Sequence, residues 1–391
     1  MNYKIPRMIA LLLLFLPQAH GQTPVTSQVQ WKIKMQSLYQ SLTELLTDVC
    51  SDQRYYDSKN SSRIEREIKN LSTFSHELSK DIKDTSSQAD PTLQLFSGFL
   101  ASETSEAYRS FRGGQQRYAR EILRSIPGDC LACHSRNALG PDFNSLAIEP
   151  GATLKPSERA EFFAATRQFD RAIESFQKIL HGTVKPKSDS YDLEKSVNEA
   201  LLIAVRHKRD PKLALSIVQS VIDNPESPKF LEEDATHWKK SLEDWAMEPA
   251  RELKTEEGLH AEALRLIALA HSNQTYSMDH SQDITYLRAS TVLYDLVQLA
   301  PKGKHVSEAL LLLGMCYEVL NPHRMENLHN IYYESCIKNA PHTEIALTCY
   351  RRYEQSIHFG FTGSAGTHLP QEIKEKLLEL WGIAMPKKGE L

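Results

Sequence analysis

The chain has 391 residues, a quarter of them charged, with 46 Lys and Arg against 50 Asp and Glu and a net charge of −4. That length suits about two domains, and the acidic balance leaves no basic footprint for nucleic acid. Its 16 glycines and 18 prolines are scattered, which excludes a fibrous or low-complexity chain.

Met1 to Arg7 carries two cations, Lys4 and Arg7; Ile9 to Leu16 is unbroken apolar, and Pro17 and Ala19-His20-Gly21 follow. Charged, apolar and small residues in that order make residues 1–21 a secretory signal peptide. The run is too short for a bilayer, which takes about 20 apolar residues. Cleavage removes both cations and takes the net charge from −4 to −6. No later run is long and apolar enough to span, so the mature chain is expected in the periplasm with no stable membrane span.

Gln28 to Cys50 reads as a helix, with Trp31, Met35, Leu38, Leu42, Leu45 and Val49 at alternating steps of four and three. Arg63 to Lys83 is a second, with Ile64, Ile68, Leu71, Leu78 and Ile82 on one face. Asp90-Pro91 starts a third, since Asp caps well and Pro suits the first helical position. It runs to Arg112 and ends at Gly113-Gly114; Gln115 to Ser125 is a fourth, which Pro127-Gly128 breaks or kinks. Short links between the four predict an antiparallel bundle.

Residues 140–156 hold Pro141, Pro150, Gly151 and Pro156 and little pattern. The domain boundary is placed there, giving a helical domain over 22–145 and a second over 151–391. The second reads as an α-solenoid of helical hairpins. Arg167-Gln168-Phe169-Asp170-Arg171-Ala172 resembles the centre of a tetratricopeptide repeat, and Lys208 to Leu215 is a looser copy. Ala309 to Leu320, Leu328 to Asn339 and Thr343 onward supply further hairpins. A single hairpin cannot bury its own apolar face, so such units stack.

The chemistry lies in Cys130-Leu131-Ala132-Cys133-His134. Cys-x-x-Cys-His is the attachment signature of c-type haem. Two thiols a helical turn apart can each add to a vinyl group on one porphyrin edge, and the His then meets the iron as its proximal ligand. No further Cys or His stands beside it at zinc-knuckle spacing, and no strand pattern supports a thioredoxin-like pair. One covalent haem c is therefore expected, on Cys130 and Cys133 with His134 on the iron.

Between the leader and the motif stand one Met, Met35, and one His, His76, as candidates for the other axial position. At ~100° per residue Met35 lies about 30° from the centre of its apolar stripe and His76 about 140° from its own. Met35 should face the bundle interior and His76 the outside. Met35 is the better ligand candidate, and an open iron site is the alternative.

A bundle with this motif in its last helix resembles the cytochrome c prime family over Gln28 to Asn137, specifically at Cys130, Cys133 and His134. The resemblance implies a Met of the first helix against the iron, matched here by Met35, or an open site. Pro127-Gly128 departs from the family's straight final helix, which leaves room for a class I cytochrome arrangement. That class usually takes a downstream Met, and the next here is Met247.

The expected function is one-electron transfer with a redox partner protein docked by the hairpins. A haem-based gas sensor or ligand carrier with five-coordinate iron is the second reading. A peroxidase-like enzyme is disfavoured, because no His, Arg or Trp constellation accompanies the motif. Four cysteines remain, Cys50, Cys316, Cys336 and Cys349. Cys336 and Cys349 flank the Asn339-Ala340-Pro341 turn, where a disulfide and two buried thiols are both open. His323, His329, His342, His358 and His368 show no paired spacing, and Gly363-Ser364-Ala365-Gly366 reads as a plain loop.

Overall fold

The computed structural model describes residues 25–85, 91–136, 154–184, 189–249, 251–276, 279–320, 328–364 and 366–386. The expected leader, the Asp90 cap, the domain boundary and His323 lie outside these residues. The described chain is all-α, apart from a two-residue ladder pairing Thr362 with Thr367 and Gly363 with Gly366.

The amphipathic segments near the N-terminus form α1 (Val25–Val49), the short α2 (Asp52–Tyr55), α3 (Ser58–Thr85), α4 (Pro91–Arg112) and α5 (Gln116–His134). Helices α1, α3, α4 and α5 pack as a four-helix bundle. Gly114, at φ 79°, takes the left-handed conformation that ends α4 and turns the chain into α5. Arg120 fastens α5 to the end of α1: its Nε donates to the Val49 carbonyl at 2.6 Å, and its guanidinium pairs with Asp52 and lies over the Tyr55 and Tyr56 rings.

Of the break or kink expected at Pro127-Gly128, the break is corrected, because α5 continues through Pro127 to His134. Proline removes one backbone donor, and here tertiary contacts on both faces of the helix outweigh that loss. Ile126, Pro127, Asp129, Leu131 and His134 are all buried.

Hairpins follow: α6 (Pro156–Ala165) with α7 (Phe169–Leu180), α9 (Pro211–Ile222) with α10 (Lys229–Met247), α11 (Glu256–Asn273) with α12 (Asp283–Leu299), α13 (Val306–Leu320) with α14 (Leu328–Asn339), and α15 (Glu344–Gly360) with α16 (Gln371–Ala384). The single helix α8 (Ser190–Leu202) bridges the first two pairs and runs into a π-helical turn, Ile203–Lys208. Arg209, at φ 52°, ends that turn, and Asp210 caps α9 by accepting from the Lys212 and Leu213 amides.

Two apolar cores result. The first runs from Met35, Leu45 and Ile126 of the bundle into Phe162, Phe176, Val218 and Leu242 of the hairpins. The second fills α11 to α16 and takes in Phe96 of α4. The side chains on either side of the undescribed 137–153 stretch thus share one core. Cys336 and Cys349 form a disulfide that ties α14 to α15. No described helix is long and apolar enough to cross a membrane.

Gly314 sits where α13 meets α14, and a Cβ there would fall 2.2 Å from Tyr333 Cε1. The ring cannot swing away, because it is fully buried and its hydroxyl donates to Glu318 at 2.5 Å. Gly314→Ala should therefore lower stability by about 1–3 kcal/mol in urea unfolding, despite alanine's better helix propensity. Replacing Cys336 and Cys349 together by Ala should cost about 3 kcal/mol, the loop-closure entropy of a short crosslink, with helicity at 25 °C retained.

Candidate functional site

The last turns of α5 carry Cys130, Cys133 and His134 on one face, since residues three and four apart are neighbours on a helix. Neither of the two thiols is in a disulfide. All three residues line a cleft inside the bundle whose walls come from α1 (Met35, Leu38, Tyr39, Leu42), α3 (Leu71, Leu78, Ile82) and α4 (Phe96, Ser97, Leu100). The cleft is narrow, and its walls are almost wholly apolar.

His134 is buried, and its Nδ1 lies 2.8 Å from the Ala165 carbonyl. That acceptor has a local cause. Helices end with carbonyls that lack partners. At the end of α6 the Phe162, Phe163 and Ala164 carbonyls are taken by the amides of Thr166, Gln168 and Arg167, the last at φ 59°. The Ala165 carbonyl is left to accept from the imidazole. A ring whose Nδ1–H is committed in this way presents Nε2 as a lone-pair donor. Burial, with the charge of Arg167 adding, pushes its pKa down to about 4, so the ring is neutral at physiological pH.

The Cys130 thiol is pushed up by burial, and further by Asp129 and Cys133, so it is held protonated. Met35 is 8% exposed and lines the same cleft. His76 is exposed, with Nδ1 3.0 Å from the Ser72 carbonyl one turn back. The structure thus brings Met35, Cys130, Cys133 and His134 to one cleft and leaves His76 outside it.

Sequence reading missed three things. Ala165, whose only functional atom is a backbone carbonyl, has no side-chain signal. Arg136, two residues past His134, stacks over Phe96 at 4.3 Å and over Tyr317 at 5.1 Å, which fixes the end of α5 against α4 and α13. A larger cleft opens on the opposite face of α5 and shares Phe96 and Asp129 with the first. Nothing in the helical periodicity announces a surface assembled from α5, α8, α10, α12 and α13.

Two histidines of the last hairpins have local roles. His329 contacts Ser356 Oγ at 2.6 Å, and His342 Nδ1 lies 2.8 Å from the Met385 carbonyl. Comparison of the chain with protein-family models, with curated proteins and with solved structures finds no match.

Proposed function

We propose that this chain is an exported c-type cytochrome that holds one haem c and passes single electrons to a partner protein docked on its helical hairpins. The observation that carries this reading is the neutral imidazole of His134, fixed through Nδ1 on the Ala165 carbonyl, in one apolar cleft with Cys130 and Cys133. The donor set fits the group: two thiols for the thioether bonds and one committed imidazole for the iron. Bound haem supplies a one-electron couple, and this chain's residues set its surroundings.

Those residues have separable tasks. Leu38, Leu71, Leu78 and Leu100 exclude water from the porphyrin space, which favours the less charged, reduced state of the iron. The Ala165 carbonyl orients His134 and raises its basicity toward a metal. Met35 offers a thioether from α1, and such a ligand raises the potential relative to a second imidazole. Burial pushes the Cys130 thiol up in the folded chain, so its addition to a vinyl group would be easier before the bundle closes. The Cys336–Cys349 disulfide and the leader-like N-terminus both suit export to an oxidising compartment. Stacked hairpins offer the kind of extended surface that docks a protein.

A second reading, a ligand-binding protein with five-coordinate iron, rests on one observation. Met35 packs within the first core as an ordinary apolar side chain does.

Acid–acetone extraction of the protein from a host that attaches haem c should leave the colour with the chain. Cys130→Ala with Cys133→Ala should abolish its retention. Pigment that leaves the wild-type protein on extraction would refute covalent attachment. Met35→Ala should lower the reduction potential and admit carbon monoxide to the reduced iron, while His76→Ala should change neither. Prompt carbon monoxide binding by the wild-type protein would transfer support to the five-coordinate reading.

A further inference from the structure

We propose that His260, His305 and Glu308 form a divalent transition-metal site, separate from the cleft of α5 and independent of the haem reading. The site stands where two hairpins meet. His260 lies in the second turn of α11, His305 immediately before α13, and Glu308 in the first turn of α13. One potential ligand atom from each of the three residues falls within 4.8 Å of the other two.

The individual distances bracket what a metal requires. His260 Nε2 lies 2.8 Å from Glu308 Oε2, and His305 Nδ1 lies 3.9 Å from the same oxygen. Zinc bonds of about 2.0–2.2 Å in tetrahedral geometry place neighbouring donor atoms about 3.3 Å apart. These two pairs must therefore shift by only about half an ångström, while the two imidazole nitrogens start within 4.8 Å of each other. The two imidazoles lie nearly parallel, with centroids 3.8 Å apart and planes at 15°. To share one ion the rings would rotate out of this stack, so that both in-plane lone pairs aim beside the carboxylate.

The framework holds the three together without help from the ion. The His305 backbone amide donates to Glu256 Oε1 at 2.8 Å, which pins the loop before α13 to the start of α11. The His260 and His305 side chains are 14% and 21% exposed, so an ion reaches them from solvent and still loses most of its water on the protein side. Two imidazoles and a carboxylate suit a borderline ion such as zinc, and they leave a fourth position to water. To ligate through Nε2, His260 would give up its hydrogen bond to Glu308 Oε2 and carry the ring's single proton on Nδ1.

The test uses the full chain as expressed, without a polyhistidine tag and stripped with chelator, titrated calorimetrically with zinc chloride. The wild-type protein should take up one zinc equivalent more than the His260→Ala, His305→Ala double variant. Zinc should also raise the melting temperature of the wild type and not of that variant. Glu308→Gln keeps the framework and removes the anionic ligand; it should weaken the same site at least tenfold, and it serves if the double variant fails to fold. Equal stoichiometry and affinity in wild type and variants, or no zinc uptake by the wild type, would overturn the site and leave a hydrogen-bonded His–His–Glu cluster. Neither outcome bears on haem at Cys130, Cys133 and His134.

Discussion

The single contact on which the candidate site depends is the hydrogen bond from His134 to the Ala165 carbonyl. It joins the last residue of α5 to the last turn of α6, across a stretch of chain that looks like a boundary in sequence. The geometry follows from a helix ending: three of the final carbonyls of α6 are taken by the turn that Arg167 makes, and the fourth remains. A buried imidazole without that acceptor would have an unsatisfied N–H in an apolar wall, at a cost of about 1–3 kcal/mol. The first hairpin is therefore part of the candidate site rather than an appendage to it.

The far side of α5 is held as firmly. Arg136 inserts among Phe96, Tyr294 and Tyr317, and Arg206 reaches the same cluster from the π-helical turn, donating to Tyr317 at 2.6 Å. Tyr294 in turn contacts the hydroxyls of Tyr317 and Tyr332. Guanidinium groups over aromatic faces retain favourable electrostatics where water is scarce. The helix carrying the Cys-x-x-Cys-His sequence is thus clamped between the first hairpin and the α12–α13 region. This double clamp explains why α5 runs on through Pro127: packing on both faces replaces the one lost backbone hydrogen bond.

Several features were legible from residues alone, and the reason is locality. The period of Met35, Leu38, Leu42, Leu45 and Val49 specifies an amphipathic helix because it depends only on 3.6 residues per turn. The same rule turns Met35 inward and His76 outward, as the burial of the first and the exposure of the second show. Gly113-Gly114 ends α4 because Gly114 meets no steric cost at positive φ. The Arg167–Asp170 turn and the Asp210-Pro211 start of α9 likewise follow from short-range chemistry. Pro127 misled for the complementary reason, since whether a proline ends a helix depends on what packs around it.

By itself, then, the sequence determined the all-α class, the helix faces, the main turns and the Cys130, Cys133 and His134 grouping, all of which are set within about one or two turns of chain. The tertiary structure alone decided which acceptor fixes His134, that Met35 shares its cleft, that Cys336 and Cys349 bond, and that His260 meets His305 and Glu308. Each of these joins residues from different helices. No periodicity within one helix specifies the angle and register at which a distant helix will pack, because those are fixed by the complementarity of two surfaces at once.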